Sequence, residues 1–169
     1  MTSKFLLSDG KFSKKRVFIL YAAIFLTFLG LHEGVKKMGY GLHFIQSESV
    51  QGFVYVSRPI ASEIDVGDMV IFPLPEKLNV RGSVVKEVRA LPGDTLDVRE
   101  GRVFINGELA VTAKPYSLKG DPLTPISSQI IPEGMIFVMG HMKDSYDSRY
   151  ESFGLIAQKD IRSKGYLVF

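Results

Sequence analysis

The chain has 169 residues, 46% hydrophobic and 23% charged. That is about one domain's length, too apolar for a disordered chain and too charged for a polytopic membrane protein. It has no cysteine, which excludes disulfide frameworks, Cys-ligated zinc, iron–sulfur clusters and a cysteine nucleophile. Its net charge of +3 divides into +5 over residues 1–37 and −2 over residues 38–169. The basic excess therefore belongs to the N-terminal segment, and no nucleic-acid partner is expected. The three histidines, His32, His43 and His141, lack paired ligand spacing, so no metal site is expected either.

Val17 to Leu31 is a run of fifteen uncharged residues preceded directly by Lys14-Lys15-Arg16. As a helix it spans ~22 Å, short of the ~30 Å hydrocarbon core, unless flanking residues extend it. A cleaved signal peptide requires a small-x-small site after the run, and the sequence exits through Gly-Leu-His-Glu-Gly. A buried core helix has this length but would not usually be apolar on every face. An uncleaved signal anchor fits best. Lys11, Lys14, Lys15 and Arg16 precede the span, and Lys36 and Lys37 follow it. The positive-inside rule then places the N-terminus in the cytoplasm and the remainder outside, in the periplasm of a Gram-negative cell. The expected organisation is a basic cytoplasmic stretch over 1–16, the anchor and its exit over 17–37, and one extracytoplasmic domain over 38–169.

Beyond residue 45 short apolar runs alternate with turn residues, as in an antiparallel β domain. Phe53–Val56, Met69–Phe72, Ser83–Ala90, Arg102–Ile105, Glu108–Val111 and Met135–Met139 read as strands. Asn106-Gly107 between two of them is a strong hairpin signal, and Pro92-Gly93 suits a type II turn. Residues 112–131, with Pro115, Pro122 and Pro125, read as a long surface loop. Met38, Tyr40, Leu42, Phe44 and Ile45 fit either a first core-facing strand or a surface resting on the bilayer.

Without cysteine or a histidine cluster, one remaining route to nucleophilic catalysis is a serine activated by a neutral lysine amine. Half-neutralising an amine at pH 7 requires a shift of ~3.4 pKa units, about 4.6 kcal/mol, which burial supplies. Strand alternation sets Val84, Lys86 and Val88 on one face, and Val85, Glu87 and Arg89 on the other. If the valine face is core, Lys86 is desolvated; if it is half-buried, Lys86 snorkels to solvent. Lys77, Lys114, Lys119, Lys159 and Lys164 lie in polar, turn-rich contexts and read as solvated. Ser47 and Ser49 fall on one side of an extended segment, so that one hydroxyl attacks while the other donates to an oxyanion; the same pair also fits an ordinary loop. Asp144-Ser145-Tyr146-Asp147-Ser148-Arg149-Tyr150 is either a solvated turn or a set of supports for a catalytic side chain.

In this order, these pieces resemble the signal peptidase I superfamily of serine–lysine peptidases, family S26, and within it the conjugative-transfer peptidases that mature pilin. The resemblance rests on Ser47-x-Ser49, Gly67–Phe72, Lys86 through Leu91-Pro92-Gly93-Asp94, and Pro132–Gly140 followed by Asp144–Tyr150. It implies a signal-peptidase-like, mainly antiparallel β domain with one N-terminal transmembrane helix. It implies Ser49 as nucleophile and Lys86 as general base. It places the Ser47 hydroxyl and the Ser49 N–H at the oxyanion, Ser145 orienting the amine, and Asp147 and Arg149 as a supporting ion pair. No cofactor is implied. The partners are a precursor protein, including a propilin, and membrane lipid. Val50 stands where the family usually has Met, Gln51-Gly52 where a Pro commonly follows, and Gly140-His141-Met142-Lys143 where leader peptidases usually have Gly-Asp-Asn-Arg. These departures point to a dedicated enzyme with one or few substrates. In the pilin branch the acyl-enzyme is resolved by water or by the substrate's own amine, which cyclises the product. Two other readings are a membrane-tethered assembly factor without activity and a self-cleaving repressor-like protein. The apolar N-terminus weighs against the second.

Overall fold

A computed structural model describes residues 14–44, 54–60, 63–75, 78 and 82–167. Two compact units follow one another, the first ending at Met38 and the second starting at Gly39. The first is helix α1, Lys14–Lys37. It runs past the fifteen-residue apolar stretch because His32–Lys37 contains no helix-terminating proline. Its 21-residue portion Val17–Lys37 is long and apolar enough to cross a membrane, measuring ~31 Å at ~1.5 Å per residue. Lys36 and Lys37 occupy the last turn, where cations complement the helix dipole. Gly39 follows at φ 78°, and an added Cβ there would stand 2.7 Å from Pro59 Cγ, so both the turn and the close approach require glycine.

The second unit is antiparallel β. Its strands are β1 (Gly41–Phe44), β2 (Val54–Arg58), β3 (Met69–Pro73), β4 (Ser83–Ala90), β5 (Thr95–Arg99), β6 (Arg102–Ile105), β7 (Glu108–Thr112), β8 (Gln129–Ile130), β9 (Met135–Met139), β10 (Ile156–Ala157) and β11 (Ser163–Leu167). A seven-stranded sheet has the order β1-β2-β11-β3-β4-β9-β10, and a four-stranded sheet the order β7-β6-β5-β8. Turn chemistry sets the smaller sheet. Asn106 and Gly107 both have positive φ, the two-residue hairpin geometry that joins β6 to β7. The Asp94 carboxylate accepts from the Leu91 N–H at 2.7 Å and from the Asn106 side-chain amide at 2.7 Å. The Asn106 carbonyl in turn accepts from the Thr95 N–H at 2.9 Å. These bonds start β5, a strand too polar to read from sequence.

One core cluster lies on the large sheet and includes Val70, Phe72, Val88, Ile136, Val138, Phe153, Ile156 and Ile161. A second joins the small sheet to Ala90, Phe137 and Met139, and contains Ile126 and Ile131. Segment 112–131 is therefore not wholly the surface loop expected. Ile126 and Ile131 are buried in that second cluster, β8 pairs with β5, and Pro125 bridges to Tyr150.

Lys164 corrects a second expectation. It is only 7% exposed, because β11 runs between β2 and β3 rather than along the surface. Its Nζ reaches Asp68 Oδ2 at 2.6 Å and donates to the Glu63 carbonyl at 2.7 Å. Next to it, Gly165 lets β11 lie against Tyr55 and Ile71; a Cβ there would stand 3.3 Å from Tyr55 Cδ1. Removing one partner of a buried ion pair costs up to 3–5 kcal/mol, and the partial exposure of Asp68 lowers that figure. Lys164→Met is expected to lose about 1–3 kcal/mol in urea unfolding of the detergent-solubilised chain.

Candidate active site

Lys86 lies mid-strand in β4, opposite Val70 of β3. Its face is the core face, as the Val84-x-Lys86-x-Val88 alternation allows, and the residue is 2% exposed. The opposite face also carries a core residue, since Val85 packs with Tyr55 and Ile71. The strand is thus covered on both sides here, which removes the solvated route that a snorkelling lysine needs.

The Lys86 Nζ donates to Ser145 Oγ at 2.7 Å. Burial pushes the amine down from its ordinary 10.5 to about 8; the Asp147 carboxylate opposes that shift and the Arg149 guanidinium adds to it. At pH 7 roughly one amine in ten is then neutral, and the neutral fraction rises quickly above that pH.

Ser145 belongs to the turn following β9, where its N–H donates to the Met142 carbonyl at 3.0 Å. Asp147 and Arg149 pin this turn. Arg149 Nε donates to Asp147 Oδ1 at 2.7 Å and Arg149 NH2 to Asp147 Oδ2 at 2.8 Å, a bidentate pair. Asp147 Oδ2 also accepts from the Gly140 N–H at 2.9 Å, and Arg149 NH1 donates to the Lys143 carbonyl at 3.1 Å. Both residues are almost wholly buried, so this is a fully bonded interior pair and not a solvated turn. Among the described residues no buried side-chain nitrogen or oxygen lacks a hydrogen-bond partner.

Ser148, in the same polar run, completes the support, though the sequence gives it no separate role. Its hydroxyl accepts from the Val138 N–H at 3.1 Å and donates to the Gly154 carbonyl at 2.7 Å, which ties the turn to β9. His141, in the departed Gly-His-Met-Lys turn, stands 2.8 Å from Glu87 Oε2. The fold thus brings Lys86, Ser145, Asp147 and Arg149 together. Ser47 and Ser49, with the altered residues Val50, Gln51 and Gly52, lie outside the described residues. They belong to the connection between Phe44 of β1 and Val54 of β2, which pair with each other. No cluster of three or more His, Cys, Asp or Glu able to hold a metal occurs among the described residues.

An apolar helix of membrane-spanning length thus precedes an antiparallel β domain in which a buried lysine amine rests on a serine hydroxyl. Residues 15–169 match the family described as signal peptidase, peptidase S26, and the chain belongs to that family. It is 35% identical over 125 residues to signal peptidase I of Bacillus licheniformis, covering 69% of this chain and 65% of that protein. It is 32% identical over 101 residues to the probable signal peptidase I-1 of a Synechocystis strain, covering 57% of this chain and 50% of that protein. In these two alignments the chain spans from half to about two thirds of the relative's length. A crystal structure of a signal peptidase I from Enterococcus faecalis matches with a TM-score of 0.40 and 26% identity, covering 61% of this chain and 97% of that one.

Proposed function

We propose that this chain is a membrane-anchored serine endopeptidase that cleaves a precursor protein on the far side of the cytoplasmic membrane. The observation that carries the reading is the Lys86 amine, 2% exposed, lowered to about 8 and held on Ser145 Oγ at 2.7 Å. A desolvated lysine with one fixed hydrogen bond is a general base near neutral pH.

In the proposed reaction Ser49 Oγ attacks the scissile carbonyl carbon as Lys86 Nζ takes the hydroxyl proton. The carbonyl oxygen becomes an oxyanion bonded by the Ser47 hydroxyl and the Ser49 N–H. The tetrahedral intermediate collapses, the C–N bond breaks, and Lys86 returns its proton to the leaving amine. Water then attacks the ester carbonyl with Lys86 again as base; the acyl C–O bond to Ser49 breaks, Lys86 returns its proton to Ser49 Oγ, and the product acid departs. Asp147 and Arg149 touch no reacting atom in this scheme; they hold the turn that carries Ser145, which makes them positioning residues. Helix α1 is the anchor, with residues 1–16 cytoplasmic and residues 38–169 extracytoplasmic. The charge bias around the span supports this orientation.

The relatives named signal peptidase I favour a secreted precursor as substrate. A pilin precursor is the narrower case, drawn from the resemblance to the conjugative branch. Intact mass spectrometry of precursors co-expressed with the wild type, Ser49→Ala or Lys86→Ala tests both. Conversion of a secreted precursor to a shorter product by wild type alone is the expected result. A mature-length pilin lighter by one further water identifies the cyclising branch. Processing by both variants at the wild-type level sinks the Ser49–Lys86 assignment.

Ser145→Ala leaves the Lys86 amine without its hydrogen-bond partner and free to rotate. Misplacing a general base by about 1 Å costs on the order of 10²-fold. The expected result is kcat about 10–100-fold lower with KM little changed. A KM effect with intact kcat would assign Ser145 to substrate binding instead.

A further inference from the structure

A groove of about 770 Å³ opens in the β unit, and Asp144 and Tyr146, the two neighbours of Ser145 in sequence, are in its lining. Its walls include Leu74, Tyr116, Pro122, Leu123, Tyr146 and Tyr150. The volume falls in the range of ligand sites, ~300–1,000 Å³, and the wall composition suits an apolar guest. Segment 112–131, to which the reaction scheme assigns no role, supplies one wall.

The groove is in register with Lys86. Lys86 pairs with Val70, and Val84 with Phe72. The ladder continues as the Leu74 N–H donates to the Gly82 carbonyl at 2.9 Å. Val70, Phe72 and Leu74 share one face by strand alternation, and Lys86 belongs to that face. Leu74, one residue past the end of β3, is four residues from Val70 in the Lys86 row, hence ~13 Å away. At the nearer end, Asp144 and Tyr146 line the groove and flank Ser145, whose hydroxyl accepts from the Lys86 amine. The Lys114–Asp144 ion pair sits in the lining, and Lys119 and Asp121 bring the local charge to zero. The lining is thus net neutral, and most of its surface is apolar.

We propose that this groove is a specificity subsite of the same peptidase, taking a leucine-like or aromatic side chain of the extended precursor at the fourth or fifth residue from the scissile bond. An extended peptide advances ~3.3 Å per residue, so four residues span the ~13 Å between the Lys86 row and Leu74; the Val70–Phe72 face between them is filled by the core, so the peptide passes over the rim. The inference rests on the peptidase reading for its substrate and on the register for its distance.

The test uses the full chain in detergent micelles and two readouts. The first compares kcat/KM for matched fluorogenic peptides with a common Ala-x-Ala cleavage site, carrying Leu or Asp at the fourth and fifth positions on either side in turn. Wild type is expected to prefer Leu at one of these positions by about tenfold or more. Leu123→Asp is expected to lose that preference, with kcat/KM for the Leu peptide falling to the level of the Asp peptide or below it. The second readout places photo-leucine at the same positions and maps crosslinks on the Ser49→Ala chain, where labels are expected on 115–123 or Tyr146. No preference in wild type, a preference that Leu123→Asp leaves intact, or labels only elsewhere would each overturn the proposal. If wild type cleaves none of the peptides while the label still lands in the groove and Leu123→Asp abolishes it, the peptidase reading fails and the groove stands.

Discussion

The kcat/KM of this chain for a cleavable precursor peptide is expected to rise about tenfold per pH unit up to about 8 and to level off above it. The rise follows the fraction of Lys86 that is neutral in the free protein. Lys86→Ala removes the proposed base and should cost at least about 10³-fold at every pH, as removal of a central member of a nucleophile–base set does elsewhere. Stability gives an independent check with a fixed sign. The folded amine titrates near 8 and the unfolded one near 10.5. Between those values the unfolded chain binds more protons, so folding stability rises with pH through that window. Below it both states are protonated, and the burial penalty, about 3 kcal/mol, is present in full. Wild type is therefore expected to gain on the order of 3 kcal/mol relative to Lys86→Met between about pH 7 and pH 10.5. Unfolding curves of both proteins at several pH values test this. A constant difference would mean that Lys86 is not desolvated in solution, and the base assignment would lose its physical ground.

The second large effect lies at the Asp147–Arg149 pair, where the two partners act on Lys86 with opposite signs. Asp147 raises the amine and Arg149 lowers it. Arg149→Met leaves an uncompensated buried carboxylate, so the pH midpoint of activity should move up. Asp147→Asn leaves the guanidinium, and the midpoint should move down. Both single variants should be destabilised by about 3–5 kcal/mol, because each strands a buried charge. The double variant should recover much of that loss, since no lone charge remains in the interior. A purely structural pair would give the two stability losses without the opposed midpoints. Urea unfolding together with the pH–rate profiles separates the cases, and shifts of the same sign in both variants would defeat the electrostatic account.

Several of these features are legible in the amino-acid sequence. The β6–β7 hairpin follows from Asn106-Gly107, whose positive φ values are those the two-residue turn demands. The β3, β4 and β9 runs are readable as short apolar stretches ending at turn residues. Strands β5 and β11 are not. Thr95–Arg99 and Ser163–Leu167 are too polar to stand out, and they pair because turns and neighbours supply partners for their backbone groups. Lys164 reads as solvated for the same reason: nothing local indicates that β11 enters the middle of a sheet.

By itself the sequence determined the apolar N-terminal helix, the antiparallel class, the hairpin and the face on which Lys86 lies. Each depends on periodicity, turn chemistry or an uninterrupted apolar run within a few residues. Only the tertiary structure decided that Lys86 is buried on that face, that Ser145, 59 residues further along, receives its hydrogen bond, and that Asp147 and Arg149 form an interior pair. Burial requires β3, β9 and the 144–150 turn to close over one strand from distant parts of the chain. Alternation along β4 specifies a direction for the side chain, whereas desolvation and a lowered pKa arise only from what the rest of the chain packs around it.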